Sequence, residues 1–431
     1  MSGMKGLRLY RLASTVLAPF LPLWLGRRVR AGKEEAARLG ERYGRSTIDR
    51  PDGPLIWLHG ASVGETQMLL PLIDKFLAHN ADVTVLVTSG TRTSAELLAK
   101  QLPTRAIHQY LPADTPGAVR RFFAHWQPEL GILAESELWP NLIIEAGRRE
   151  IPLALINARM SEASLSRWQK RPQAARTLLS NFRYIHAANE MTAAGLTTLS
   201  GQPIEPGGNL KHAAPPLSVG AAELARFQKA LGNRPVWCAA STHKGEEEII
   251  LTAAREVLQA RPDALLLLAP RHPERADDIA KLIETHGLSY GRHAGGGTPG
   301  PGTQVWLVDT MGEMGLIYRL SDIAFVGGSL CAGLKGHNPL EPARLDCAIL
   351  TGRHISSFAN IYLDLFRFGA AGRVLAPEKL GKEIIRLFAD DAARLAMRKQ
   401  AKDFALAQSE ILAHVWDGLM PLLEGRNGNG K

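Results

Sequence analysis

Between Pro54 and Gly352 the chain runs as two series in which short apolar stretches alternate with amphipathic ones. This alternation restricts the fold more than any single motif does. In the first series "LIWLHG" leads into 66–80, "VTVLVTSG" into 91–101 and "AIHQYLP" into 116–126. It continues through "LGILAES" (130–136), "LALINARM" (153–160), "YIHAAN" (184–189) and "IEPGGNL" (204–210). Repeated strand-then-helix units predict a parallel sheet with helices on both faces. The pattern breaks at "KHAAPPLSVG", whose Pro-Pro pair marks a linker. A second series follows: "PVWCAAST" (235–242), "ALLLLAPRH" (264–272), "VWLVDT" (305–310), "IAFVGGS" (323–329) and "AILTG" (348–352). The expected class is therefore α/β, with two Rossmann-like, doubly wound domains facing a cleft.

Length agrees, since 431 residues exceed what one hydrophobic core usually supports. The expected boundaries are an N-terminal helical segment over 1–50, one Rossmann-like domain over 51–215, a second over 216–425, and a disordered tail over 426–431. A hydrophobic content of 45% and a charged content of 22% are ordinary for a globular chain. The three cysteines, Cys238, Cys331 and Cys347, lack CxxC spacing and read as buried thiols in a reducing compartment.

A net charge of +9 favours anionic partners: nucleic acid, acidic lipid or a phosphorylated small molecule. Basic residues are spread along the chain and no RNA- or DNA-binding motif occurs, so no nucleic acid is expected. The N-terminus favours lipid, because "LASTVLAPFLPLWL" (12–25) is uncharged, with Lys5, Arg8 and Arg11 before it and Arg27, Arg28, Arg30 and Lys33 after it. No small-x-small cleavage site follows, which argues against a signal peptide. Fewer than ~20 apolar residues and two prolines, Pro19 and Pro22, favour shallow insertion at an anionic surface over a span. A buried core helix is the competing reading.

Ligands of open α/β sheets sit at the carboxyl ends of strands, and the unusual residues of this chain concentrate there. "GASVGE", "AESE", "NAR", "GNLK", "STHKGEE", "PRHPER", "DTMGE" and "GGS" each follow an apolar run. Glu65, just past a glycine turn, suits either a general base or a first-turn carboxylate that complements the helix dipole. Asn338 suits a helix cap and Pro339 the first helical turn, a capping arrangement that is structural on its own, and Glu341 suits either the dipole or a ribose hydroxyl. Among Arg271, His272 and Arg275 at least one cation is expected to face the cleft, against the plain alternative of a solvated basic loop. GxGxxG after either first strand, GxxxxGK[ST] and Asp-x-Asp are all missing, as is any metal-ligand spacing. A reaction needing neither dinucleotide cofactor nor metal is expected. "GASVG" is not the G-x-S-x-G of a nucleophilic serine.

Taken in order, "GERYG" (40–44), "GASVGE" (60–65), "ESELWPN" (135–141), "NARMS" (157–161), "GNLK" (208–211), "STHKGEE" (241–247), "PRHPER" (270–275), "DTMGE" (309–313), "FVGGSL" (325–330) and "GHNPLE" (336–341) closely resemble one family. It is that of the 3-deoxy-D-manno-octulosonic acid (Kdo) transferases of lipopolysaccharide synthesis, inverting glycosyltransferases of GT-B architecture. The resemblance implies Kdo transfer from CMP-Kdo to a hydroxyl of a tetra-acylated lipid A precursor at the cytoplasmic face of the bacterial inner membrane. It implies Glu65 as the general base, with Glu135 and Lys211 stabilising the transition state. It implies CMP contacts at Pro270, Arg271, Met311, Gly312, Glu313, Asn338, Pro339, Leu340 and Glu341, in a C-terminal donor domain. No cofactor or metal is implied, and the partners are the CMP-Kdo donor, the lipid acceptor and an anionic membrane surface.

The chain departs from the family pattern at Lys335, where a second glycine is usual, at His212-Ala213, where Phe-Asp is common, and in "GRHISSFANIY". Two rival readings are a nucleotide-sugar epimerase of the same fold and a non-catalytic basic protein that binds membrane surfaces.

Overall fold

The structure is a computed structural model that describes residues 2–213 and 216–427. It divides into two compact units: Met1–Ala214 together with Gln408–Lys431, and Pro215–Ala407. The second unit thus ends short of 425, because the chain from Gln408 onward clusters with the first. Of the expected tail, 428–431 lie outside the described residues, while Asn427 ends the helix Asp391–Asn427.

The first unit holds a six-stranded sheet of order β3-β2-β1-β4-β5-β6. Its strands are β1 (Leu55–Gly60), β2 (Thr84–Ser89), β3 (Ala106–Tyr110), β4 (Leu130–Ala134), β5 (Leu153–Ala158) and β6 (Phe182–Ala187). All pairings are parallel. Every residue of β1, β4 and β5 is buried, as a sheet covered on both faces requires. On one face Trp57 packs edge-on to Phe122 and Phe123, at ring separations of 5.4 and 5.6 Å. On the other, Leu58, Leu69, Ile73 and Phe76 join Ile411, Val415 and Leu419 of the last helix. Gly418 is needed there, since a Cβ on it would meet the Tyr184 ring at 2.3 Å.

The expected strand at 204–210 does not form. Pro206 makes only an isolated bridge to Ala187, and Leu210–His212 is a 3-10 turn. A proline and two glycines leave that stretch short of ladder donors and of side chains to pack.

The second unit holds a seven-stranded sheet of order β13-β12-β11-β7-β8-β10-β9, again parallel throughout. Its strands are β7 (Val236–Thr242), β8 (Leu265–Pro270), β9 (Tyr290–Arg292), β10 (Val305–Leu307), β11 (Ile323–Val326), β12 (Ala348–Thr351) and β13 (Ala371–Arg373). Cys238 and Cys347 are buried free thiols, and burial pushes Cys238 up to about 12; Cys331 is only partly buried.

Strand order reverses between β1 and β4 in the first sheet and between β7 and β11 in the second. These are the switch points at which open α/β sheets leave a crevice for ligand.

The N-terminal segment is helical over Ser2–Leu17 and Leu21–Arg30, with a 3-10 turn at Ala18–Phe20. Gly6–Arg30 is long and apolar enough to cross a membrane by length and composition. Leu7 and Leu25 are buried, whereas Leu9, Leu12, Val16, Leu17, Phe20, Leu23 and Trp24 are exposed. An exposed apolar row followed by Arg27, Arg28 and Arg30 is consistent with membrane association and inconsistent with a core helix.

Candidate active site

Glu65 sits in the first turn of the helix Val63–His79, directly after β1. Ser62 caps that helix: its Oγ lies 3.4 Å from the Glu65 amide nitrogen and donates to Glu65 Oε1 at 2.6 Å. The Ala61 N–H donates to Glu65 Oε2 at 2.8 Å. The turn is a variant of the capping box, in which the glutamate reaches back to the residue before the cap. Each carboxylate oxygen keeps a second lone-pair direction. A Cβ on Gly60 would lie 3.0 Å from Glu65 Cβ and 3.1 Å from Thr66 N, so the glycine sets how closely strand and helix start approach.

Glu135 follows β4, across the switch point from β1, in a left-handed backbone conformation at φ 57°. Such a backbone costs a non-glycine residue roughly 1–3 kcal/mol and recurs at functional sites. Asn157 (φ 51°) and Ser241 (φ 57°) repeat this at the ends of β5 and β7. Lys211 Nζ lies 2.5 Å from Glu135 Oε1. The turn carrying Lys211 is tied to β5, because the Leu210 N–H donates to buried Asn157 Oδ1 at 2.7 Å and Asn209 Oδ1 accepts from the Lys211 N–H at 3.1 Å. A Cβ on Gly64 would lie 3.7 Å from Lys211 Nζ, so the lysine runs over the turn that holds Glu65. The structure therefore brings Glu65, Glu135 and Lys211 together at the switch point of one sheet.

A cavity of about 360 Å³ reaches the turn that holds Glu65 at Ala61. Its walls include Trp24 and Leu25 of the N-terminal segment, Leu111, Trp139, and Ala61, whose N–H holds Glu65. Two buried side chains brace its rim. His59 Nδ1 lies 3.0 Å from the Thr88 carbonyl oxygen and its Nε2 3.4 Å from Glu137 Oε2. Arg42 of "GERYG" donates to both oxygens of Glu34 at 3.0 and 3.1 Å, to the Leu111 carbonyl at 3.0 Å and to the Gly90 carbonyl at 2.7 Å. Sequence reasoning missed that bracing role; its signal was an arginine beside two glycines.

In the second unit Pro270 ends β8 and is buried, and exposed Arg271 follows with its N–H on the Thr242 carbonyl at 2.9 Å. Arg275 is taken up by buried Glu247, through bonds of 2.9 and 3.2 Å, so of the two arginines in this loop Arg271 is the exposed one. Met311 is exposed, Gly312 has φ 95°, and Glu313 caps the helix Met314–Leu320. Asn338 Oδ1 accepts from the Leu340 N–H at 3.1 Å, which places Pro339 at the cap and Leu340 first in the helix Leu340–Arg344. This is one position later than the expected first-turn proline. Glu341 lies 3.4 Å from Asn338 Nδ2, and burial raises its carboxyl above the ordinary value, against the opposing pull of Asn338, Arg344 and Arg271. These helices have seven and five residues, so the carboxyl end of each lies within about 10 Å of its amino end and offsets much of the dipole. Charge for an anion must come largely from side chains.

Glu246, expected only as part of a motif, is fully buried. Its carboxylate accepts the N–H groups of His243 at 2.9, Gly328 at 2.7, Ser329 at 2.8 and Leu330 at 2.9 Å, binding the turn after β11 to the end of β7. Lys335 is exposed, and its carbonyl accepts the Ser357 N–H at 2.8 Å.

Among the described residues Glu223, His293 and Glu313 bring possible metal-ligand atoms within 4.8 Å of one another, a spacing that no sequence pattern displays. The Trp306 N–H donates to His293 Nδ1 at 3.4 Å. That bond leaves the hydrogen of a neutral ring on Nε2, the nitrogen facing both carboxylates, and so favours hydrogen bonding there over metal ligation.

Comparison with known proteins bears on this geometry. Residues 37–214 match the family described as 3-deoxy-D-manno-octulosonic-acid transferase (kdotransferase). A probable mitochondrial 3-deoxy-D-manno-octulosonic acid transferase of Arabidopsis thaliana is 34% identical over 98% of this chain and 97% of its own length. The 3-deoxy-D-manno-octulosonic acid transferase of Bordetella pertussis is 35% identical over 96% of this chain and 99% of its own. Among solved structures, a UDP-GlcNAc 2-epimerase from Neisseria meningitidis has a TM-score of 0.53 at 14% identity, covering 85% of this chain and 100% of that one, a likeness of fold alone. Identity at these levels over nearly the whole length makes this chain an enzyme of the 3-deoxy-D-manno-octulosonic acid (Kdo) transferase family.

Proposed function

We propose that the enzyme transfers Kdo from CMP-Kdo to a hydroxyl of a tetra-acylated lipid A precursor, with inversion at the anomeric carbon. Glu65 takes the hydroxyl proton as the acceptor oxygen attacks that carbon. The bond from the carbon to phosphate oxygen breaks, and CMP leaves with the electron pair. The Ser62 hydroxyl and Ala61 N–H hold the Glu65 carboxylate in one orientation, and its remaining lone pairs receive the proton. Lys211 offsets negative charge on the donor, and Glu135 positions Lys211 while favouring positive character at the anomeric carbon.

Pro270, Arg271, Met311 to Glu313, and Asn338 to Glu341 bind the nucleotide. Arg271 supplies cationic charge for its phosphate, and with such side chains the departing monophosphate needs no metal ion. The cavity beside Ala61 receives apolar parts of the acceptor. The N-terminal segment lies at the cytoplasmic face of the inner membrane, with Arg27, Arg30 and Lys33 toward anionic headgroups. The observation that supports this reading most is the grouping of Glu65, Glu135 and Lys211 around one strand-order reversal.

The test is incubation with CMP-Kdo, with and without lipid A precursor, followed by mass spectrometry of the lipid and assay of CMP. Acceptor mass rising by whole Kdo units, with CMP released only when lipid is present, is the expected result. CMP release without acceptor and without transfer would point to the epimerase-like alternative.

A further inference from the structure

At the switch point of the second sheet, one residue past β7 and in the loop after β11, His243 and His337 meet. Their Nε2 atoms are 2.8 Å apart and the ring planes lie within 6° of each other, the geometry of an N–H···N hydrogen bond. The rings lie over Gly328, where a Cβ would come within 2.7 Å of His337 Cδ2 and 3.6 Å of His243 Cδ2. Beneath them, Glu246 fixes both supporting turns through four backbone N–H groups, those of His243, Gly328, Ser329 and Leu330. The pair is thus mounted on a rigid base.

The hydrogen count follows from the bond. Two neutral rings joined through Nε2–H···Nε2 present one outward Nδ1–H and one bare Nδ1. One added proton fills the bare Nδ1, giving two outward donors and one positive charge. The charged and titratable groups around the rings are Arg271, His272, Glu246 and Glu247 at His243, and Arg271 at His337. Glu246 is engaged with four N–H groups and Glu247 with Arg275. Burial, together with His243 and Arg271, holds His337 down to about 4, and burial lowers His243 as well, so the pair resists a proton without a ligand.

We propose that His243 and His337 form a one-proton anion latch in the donor site, taking up a proton when an anionic oxygen of the donor binds beside Arg271. The inference rests on the assignment of these strand ends to the nucleotide. An anion there reverses the repulsion that Arg271 exerts on the pair, so binding and protonation favour each other. The donor carries two candidate anions, phosphate and the sugar carboxylate, and the shared chemistry is an anionic oxygen accepting the Nδ1–H that the added proton creates.

The test is calorimetric titration of the full-length protein with CMP near pH 6, in two buffers of different ionisation enthalpy. Free Kdo serves as a second probe, and His337→Gln and His243→Gln serve as references. Glutamine retains an amide for hydrogen bonding but does not take up a proton. Phosphate ionisation of CMP itself contributes equally to all three proteins and cancels. Wild type is expected to take up about half a proton or more beyond either variant. Its CMP affinity should tighten more steeply on acidification than theirs, by at most about tenfold per pH unit. Excess uptake with CMP assigns the phosphate, and excess uptake with Kdo alone assigns the carboxylate. Binding of both probes with no excess uptake over the variants overturns the latch. Failure of CMP to bind wild type overturns the donor assignment instead.

Discussion

In both sheets the strand that leads the series runs into a short turn and then a helix whose first turn carries glutamate, yet the two glutamates do different work. Glu65 bonds within its own turn, to Ser62 and to the N–H of Ala61, a residue that lines a cavity. Glu246 reaches across to another strand end and accepts N–H groups from His243, Gly328, Ser329 and Leu330 with no exposure at all. What decides the outcome lies opposite. Beyond β4 stand Glu135 and its partner Lys211, whereas beyond β11 stands a glycine turn full of donors. A carboxylate facing unpaired backbone N–H groups becomes structural, and one already satisfied locally is left available for chemistry.

The largest expected effect breaks the structural member of the comparison. Glu246→Ala strands four backbone N–H groups and should cost at least about 4 kcal/mol in urea unfolding, where Glu65→Ala, losing a cap, should cost only about 1 kcal/mol. Similar costs for the two would erase the distinction. Lys211→Met should lower turnover about a hundredfold with little loss of stability, as removal of one electrostatic stabiliser does. Equal turnover and unchanged KM would remove Lys211 from the site.

Gly60→Ala offers a finer probe, because its Cβ presses on Glu65 and Thr66 at 3.0–3.1 Å. Displacement by a few tenths of an ångström should cut turnover about tenfold while the fold persists. The smallest effect, taken over the first pH unit below about 6.5, concerns pH. His108, bonded to Ser89 Oγ at 2.9 Å and facing Arg38 and Arg42, is lowered to about 3 by burial and then by those cations. Between its unfolded value near 6.5 and that folded value, the unfolded chain binds the extra proton. Stability is therefore full above about pH 6.5 and falls as pH drops, by up to ~1.4 kcal/mol per unit, relative to His108→Gln measured alongside. Parallel pH profiles for the two proteins would contradict this.

The parallel sheets were legible in the alternation of apolar runs, and the strand-end motifs marked where functional groups would gather. The grouping of Glu65, Glu135 and Lys211 was legible only through resemblance, since strand order, which places β4 beside β1, is a tertiary property. The return of residues from Gln408 to the first core was not legible, because an amphipathic helix declares a face and not the surface it covers. The His243–His337 contact was hidden for the same reason, across 94 positions. Within "STHKGEE" and "PRHPER", charge suggested exposure, yet Glu246, Glu247 and Arg275 are consumed by pairing and Arg271 is the exposed arginine.

Glu65→Gln tests the central claim most directly, since the amide preserves shape and much of the turn's hydrogen bonding while removing the base. With CMP-Kdo and lipid acceptor, single-turnover transfer should fall by about 10²–10⁴, while CMP affinity and unfolding midpoint stay near wild type. Transfer within a few-fold of wild type would contradict the account and return Glu65 to a capping role alone.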